Sequence, residues 1–462
     1  MQKDKNFLLT EPVGKLLFRL ALPTLTAQII NMLYNIVDRI YIGHIPGTGG
    51  LALTGVGVCM PLIMIVSAFA ALISSGGAPR ASIFMGKQDL HSAEETLGNC
   101  FFLQILVSLA LTAILLLGNE RFLLAFGASE NTIGYALSYM NIYAFGTLFV
   151  QLTLGMNASI TAQGFAKIGM LSVLIGAVCN IILDPILIFV LDMGVRGAAV
   201  ATILSQAVSC TWVLSFLFGK QTILKLRPQN FRLRSKIILP ALALGLAVFI
   251  MQATESLIAV CFNSSLLKYG GDIAVGAMTI LTSIMQFVML PLQGFGQGAQ
   301  PITSYNYGAR HKARVKATFR LLLKLCLGYS IPLWLCVMAF PKLFAIMFTS
   351  DAALTAFTAP MLRVYMASMF LFGIQIACQM TFTALGNAKA SIAAAVMRKL
   401  VLLIPLIYIM PQILSSNQTL AVYMAEPIAD ACAVAFTAVL FFFQFRKAMA
   451  QLPDSPPTDP LQ

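Results

Sequence analysis

Charged side chains are the scarcest class in this sequence: Asp, Glu, Lys and Arg make up 10% of 462 residues. A soluble globular chain carries about 25%, so this one cannot cover a water-facing surface. Acids are the rarer half, seventeen against thirty Lys plus Arg. Histidine occurs only at His44, His91 and His311, all near loops. That leaves no metal cage and no base for an intramembrane serine, so no catalytic set is visible. Nine cysteines fall within apolar runs without CxxC spacing and read as small packing residues, not disulfides or zinc ligands. No GxxxxGK(S/T) occurs; the Gly-Lys pairs at 14–15, 86–87 and 219–220 continue with Leu, Gln and Gln, which argues against ATP hydrolysis. GFGQGA at 294–299 imitates a dinucleotide loop but lacks a preceding strand and reads as helix packing. The expectation is a protein that is not an enzyme, has no cofactor and does not bind nucleic acid.

What is present is apolar: 59% of residues are hydrophobic and the mean hydropathy is +0.85. Windows of about 20 apolar residues mark transmembrane helices. Twelve are predicted, at 16–42, 51–76, 96–119, 133–155, 168–190, 196–219, 237–262, 273–300, 318–340, 355–381, 390–412 and 419–445. The polar start MQKDKNFLLTEPVGK runs straight into a full-length span, which reads as a retained first span and not a signal peptide. With both termini cytoplasmic, 24 of the 30 basic residues fall on the inside, counting span-end residues such as Arg398 and Lys399 with their nearest loop. That bias sets the orientation and accounts for the net charge of +13 without an acidic partner. The richest basic stretch, GKQTILKLRPQNFRLRSK at 219–236, reads as a cytoplasmic linker and topology determinant, with an anionic-lipid site as the alternative. The predicted organisation is an N-terminal six-helix lobe (1–218), the linker (219–236), a C-terminal six-helix lobe (237–447) and a Pro-rich disordered tail (448–462).

The halves carry a repeat. GGAPRASIFMGKQ (76–88) and GAQPITSYNYGAR (298–310) align at an offset of 222, matching Gly76 with Gly298, Pro79 with Pro301, Ser82 with Ser304 and Gly86 with Gly308. Upstream, Pro23 meets Pro240 at an offset of 217. Six spans is an even number, so both halves enter from the same side. The expected fold is an all-α membrane protein of two six-helix bundles, related by a pseudo-two-fold along the membrane normal, with a cavity between them. Such repeats are typical of alternating-access transporters.

Five acids lie inside predicted spans: Asp38, Asp184, Glu255, Glu426 and Asp430. A carboxylate at mid-bilayer costs on the order of 3 kcal/mol, so each is a candidate functional group. Asn180 and Asp184 share a helix face by their four-residue spacing. Pro185 has no N–H to give the carbonyl of Ile181. At about 1.5 Å per residue, Asp38, Asp184 and Thr202 reach the same outer half of the bilayer. These oxygen groups suit Na⁺, or the carboxylates could carry H⁺. The plainer alternatives are an Asp38–Arg39 pair, a proline-kink cap at Asp184 and a packing hydroxyl at Thr202. Glu255 could recognise a cation in a central cavity or carry a proton. Glu426 and Asp430 either line that cavity or pair with Arg363 of span 10.

LALPTLTAQIINMLYNIVDRIYIGH, NIILDPILIF with the following GVRGAAVATILSQ, and GFGQGAQPITSYNYGAR together resemble the multidrug and toxic compound extrusion (MATE) family, nearest its MepA-like bacterial branch. The resemblance covers about residues 10–447. It implies efflux of organic cations and amphiphilic drugs in exchange for Na⁺ or H⁺, by a monomer in a bacterial inner membrane. Family members with an N-lobe cation site use residues that look like Asp38, Asn180, Asp184 and Thr202 here. Other branches pair a glutamate of span 7 with an aspartate of span 10. Glu255 fits the first, but span 10 has no acid, only Arg363, Gln375 and Gln379. Gln375 is therefore grouped with Glu255, Glu426 and Asp430 as lining for a substrate cavity. The alternative is a lipid-linked oligosaccharide flippase of related architecture. It would need intramembrane bases, and only Arg39 and Arg363 are counted as such.

Overall fold

The computed structural model describes residues 7–348 and 351–453. Lys3, Lys5 and the tail at 454–462 lie outside the described residues. Every regular element among the described residues is helical. The long ones are α1 (Val13–Gly43), α2 (Gly49–Gly86), α3 (Leu90–Ala125), α4 (Ile133–Ala162), α5 (Ala166–Val190) and α6 (Gly194–Phe218). Ser235–Gly308 follows, divided at Gly271 into α7 (235–270) and α8 (272–308). Then come α9 (Lys312–Ala339), α10 (Ala352–Tyr365 and Met369–Ala384, bent by 44°), α11 (Ala388–Ile413) and α12 (Ser415–Ala450). Among the described residues, ten helices pass as spans by length and composition, α10 adds one as a bent pair, and dividing Ser235–Gly308 adds another, which makes 10 + 1 + 1 = 12. The chain is a multi-pass membrane protein. Its outward side chains agree, with Leu117 90% and Val190 76% exposed, a face that only lipid covers well.

The helices differ from the predicted spans where hydropathy stops reporting. α2 runs ten residues past the predicted end at 76, to Gly86, and α8 eight past 300, to Gly308. The extensions mix small and polar residues with a few large ones, so they lower the window average without breaking the helix. Between α7 and α8 the predicted loop at 263–272 shrinks to Gly271 alone, whose φ of 66° and ψ of −165° suit only glycine. α12 continues to Ala450, so the first three residues of the predicted disordered tail are helical.

The 222-residue offset recurs in the backbone. Gln88 and Arg310 both take a left-handed conformation, with φ of 61° and 59°. Gly164 and Gly386 do the same, with φ of 87° and 74°. Each pair lies at a turn that starts the next span. Asp89, after the first of these turns, caps α3 by accepting a hydrogen bond from Ser92 N at 3.0 Å. Hydrogen bonding to Ser92 holds its carboxyl below the usual carboxylate range.

Contacts divide the chain into two compact units. Unit 1 holds residues 7–10 and Leu22–Phe249; the described part of unit 2 is Glu11–Ala21 and 250–453. The start of α1 therefore packs in unit 2 and the start of α7 in unit 1. Within unit 1, a Cβ on Gly76 would collide with the backbone of Ala241 on α7. Within unit 2, a Cβ on Gly298 would collide with Ala21 on α1. The repeat glycines thus do the same work: each lets a helix start lie directly on another helix.

In unit 1, α4 packs against α2, α3, α5 and α6. Gln151 of α4 donates to Val66 O of α2 at 2.6 Å, and Thr112 of α3 to Ala144 O at 3.0 Å. The predicted linker is also part of unit 1. Gln163 Oε1 accepts from Thr222 Oγ1, Ile223 N and Leu224 N at 2.8, 2.9 and 2.8 Å. Arg227 pairs with Glu94 at 2.6 Å, and Arg232 and Arg234 pair with Glu95. In unit 2, Phe319, Phe382, Phe441 and Phe445 stack between α9, α10 and α12, with Phe319 and Phe441 centroids 4.5 Å apart.

Candidate functional site

Unit 1 gathers three of the predicted ion-site residues. Asp184 ends the regular part of α5, and Pro185 keeps helical angles (φ −63°, ψ −30°) while the next turn, Ile186–Val190, widens to a π-helix. The proline relaxes the helix without ending it, and such widened turns favour functional positions. Asp184 is fully buried, and Asn180, one turn earlier, donates to its Oδ1 at 3.3 Å. Asp38 of α1 is buried too. Its neighbour Arg39 is exposed, so the two point to different sides of the helix. The Asp38 and Asp184 carboxyls come within hydrogen-bonding reach of each other. Asp38 Oδ1, Asp184 Oδ2 and Asn180 Oδ1 are buried and accept no hydrogen bond from any donor among the described residues. Two carboxylates in contact repel unless a proton or a cation lies between them.

Thr202 of α6 lines the same narrow cavity as Asn180, about 50 Å³ in volume, together with Asn31, Tyr34, Asn157 and Ser205. Its hydroxyl donates to Ala198 O of its own helix at 3.0 Å, leaving its lone pairs available. Tyr139 of α4, buried and within reach of Thr202 and near Asp38, belongs to this patch, as does the half-buried Tyr34 near both aspartates. Sequence reasoning passed over both tyrosines, because a phenol in an apolar span is ordinary. Their only signal was a shared depth with the acids.

Unit 2 holds a second polar cluster, and here two assignments need correction. Glu426 and Asp430 of α12 pair with Arg398 of α11, at 3.6 and 2.6 Å, not with Arg363. Arg363 instead donates through Nε to Met338 O at 2.9 Å. Arg398 and Lys399, assigned to a loop by proximity, lie mid-helix in the π-helical turn Met397–Leu403. Removing both from the inside set leaves 24 − 2 = 22 basic residues against six. Lys399 Nζ pairs with Glu255 Oε1 of α7 at 2.8 Å. The Arg398 guanidinium also lies over the Phe372 ring, 5.2 Å from its centre. Gln375 of α10 is buried, with a carbonyl oxygen that accepts no hydrogen bond among the described residues.

The family model MatE matches residues 23–186 and 247–409, most of the chain. The multidrug export protein MepA of Staphylococcus saprophyticus is 22% identical over 436 residues, covering 94% of this chain and 95% of its own. MepA of Staphylococcus haemolyticus is also 22% identical, over 452 residues, covering 97% and 98%. A crystal structure of MATE in the bent conformation, 22% identical, shares the fold with a TM-score of 0.91 over 97% of this chain and 99% of its own. The fold, the repeat and the length of the match agree, and the chain belongs to the MATE family of transporters.

Proposed function

We propose that this chain is a secondary antiporter that exports organic cations and amphiphilic drugs in exchange for Na⁺ or H⁺. The observation that carries this reading is the buried contact of Asp38 and Asp184 beside Asn180, with three acceptor oxygens that lack donors. Such a pocket is an unfinished coordination shell, which Na⁺ completes with its charge and H⁺ completes by bridging the carboxyls. Thr202 and Tyr139 add neutral oxygens at its edge. The printed names of the relatives, multidrug export proteins, support the substrate class.

Coupling then follows from differential affinity. An inward gradient loads the Asp38–Asp184 site from outside, and loading favours the state that binds drug weakly. The emptied carrier returns and takes up drug from inside. The remaining 22:6 basic bias supports both termini in the cytoplasm, and the proposed setting is a bacterial inner membrane with the protein acting as a monomer. The flippase alternative is not adopted. It would need free bases for a pyrophosphate, and the two bases within α11, Arg398 and Lys399, are both paired with acids.

The test is ethidium efflux from proteoliposomes under an imposed Na⁺ gradient and, separately, an imposed H⁺ gradient. Asp184→Asn is expected to lose ion-driven efflux by about tenfold or more while still inserting in the membrane. Wild-type rates from that variant would refute the assignment.

A further inference from the structure

The repeat carries the ion site one step further. Pro23 and Pro240 align at an offset of 217, and the same offset places Asp38 of α1 on Glu255 of α7: 255 − 38 = 217. α5 and α11 correspond at the 222 offset, since both begin at an alanine, Ala166 and Ala388. Lys399 falls on Ala177 by that offset, less than one turn from Asn180. Tyr365 likewise falls on Tyr143, and both are buried. In unit 1, the acid of the first helix faces acceptor oxygens that lack donors. In unit 2, the equivalent acid already holds an ammonium, delivered by the helix equivalent to α5. Adjacent residues of an α-helix diverge by about 100°; the wider π-helical turn at Met397–Leu403 lets Arg398 and Lys399 both reach acids.

The exposure of the two partners is unequal. The Lys399 side chain is 6% exposed and that of Glu255 is 55% exposed. Glu255 therefore presents carboxylate surface that Lys399 does not cover. The cluster is also one cation short. Glu255, Glu426 and Asp430 supply three negative charges against Arg398 and Lys399, so 2 − 3 = −1. Arg398 is tight to Asp430 at 2.6 Å but loose to Glu426 at 3.6 Å, so Glu426 is the less occupied carboxylate of the two. Asp430 Oδ2 is buried and accepts no hydrogen bond among the described residues. A place for a displaced lysine therefore exists.

We propose that Lys399 is a tethered counter-cation that occupies Glu255 in the unloaded protein and is displaced onto Glu426 when an organic monocation takes its place. The inference deepens the antiporter reading and rests on it. It makes Lys399 a specificity determinant: a substrate must outcompete an ammonium already in place, which selects diffuse monocations with aromatic surface over small, strongly hydrated ions.

Tetraphenylphosphonium binding to the purified full-length chain in nanodiscs tests this. Lys399→Met is expected to tighten binding about tenfold, the low end of what a displaced ion pair is worth. In a Glu255→Gln background the same substitution is expected to change nothing. Glu426→Gln removes the landing carboxylate and is expected to weaken binding about tenfold, which keeps the proposal testable should Lys399→Met fail to fold. Wild-type affinity in Lys399→Met, or tightening that survives in Glu255→Gln, overturns the proposal. So does wild-type affinity in Glu426→Gln, or a gain of Na⁺ binding without a gain for the phosphonium. Ethidium export by the wild type separates the two levels. Export with unaltered binding in the variants overturns the tethered cation alone; no export overturns the antiporter reading and this inference with it.

Discussion

Asp38 and Asp184 are buried beside one another with no basic partner bridging them among the described salt bridges. Apposed carboxylates without a counter-charge oppose folding. Removing one of them is therefore expected to stabilise the empty protein. At pH 8 without Na⁺, Asp38→Asn should melt above the wild type, by about 1 °C for each kcal/mol of repulsion relieved. Na⁺ in one titration and acid in another should raise the wild-type melting temperature toward that of the variant, and the effective titrant names the coupling ion. A variant that melts below the wild type in Na⁺-free buffer would contradict the paired-carboxylate account. The residues of this patch differed in how readable they were. Asp38, Asn180 and Asp184 stood out because a carboxylate or amide in an apolar window is rare. Tyr34 and Tyr139 did not, because phenols are common there. Arg398 and Lys399 were misassigned because a base within ten residues of a span end looks like a loop residue. Arg363, offered as one of two readings for Glu426 and Asp430, is not their partner, because chain order does not reveal which helices pack together.

At the scale of the element, the informative residues are glycines that differ in what surrounds them. Gly76 and Gly298 leave no room for a Cβ, the first against the Ala241 backbone and the second against Ala21. Gly57, on the same helix as Gly76, has nothing within 4 Å. Gly76→Ala and Gly298→Ala are expected to cost about 1–3 kcal/mol each through forced backbone shifts. Gly57→Ala should instead gain about 0.5–1 kcal/mol by lowering the entropy of the unfolded helix. Thermal unfolding in one detergent compares all three, and equal effects would refute the close-approach account. The twelve helices were legible because a bilayer enforces length. The extensions of α2 and α8 were not, since the small and polar residues among them lower a hydropathy window without being disruptive enough to end a helix. The repeat was visible at Gly86 and Gly308, but the left-handed turns at Gln88 and Arg310 carry no glycine to announce them.

At the scale of the whole molecule, the basic stretch at 219–236 is a fixed part of unit 1 and not a loose tether. Gln163 satisfies three donors of the stretch with one oxygen, and Glu94 and Glu95 pair with three of its arginines. Despite six Lys and Arg residues between 219 and 236, trypsin is expected to cut it slowly in the folded protein, because cleavage requires local opening. Gln163→Leu orphans those donors and should speed cleavage there about tenfold or more, read by mass spectrometry of the fragments. Rapid cleavage of the wild type would show the stretch to be free. Composition identified the segment and its charge. It could not reveal the docking, because the receiving glutamine and glutamates belong to distant helices.

The start of α1 belongs to unit 2 and the start of α7 to unit 1, and this exchange bears on ancestry. A six-span precursor built on one repeat could seat the start of its first helix only in a second copy of itself, as domain-swapped dimers do. Duplication and fusion would then have turned a reversible partnership into a single topology. Neither half can be severed at 219–236 and remain whole, because each would leave with the other's first turns and without its own.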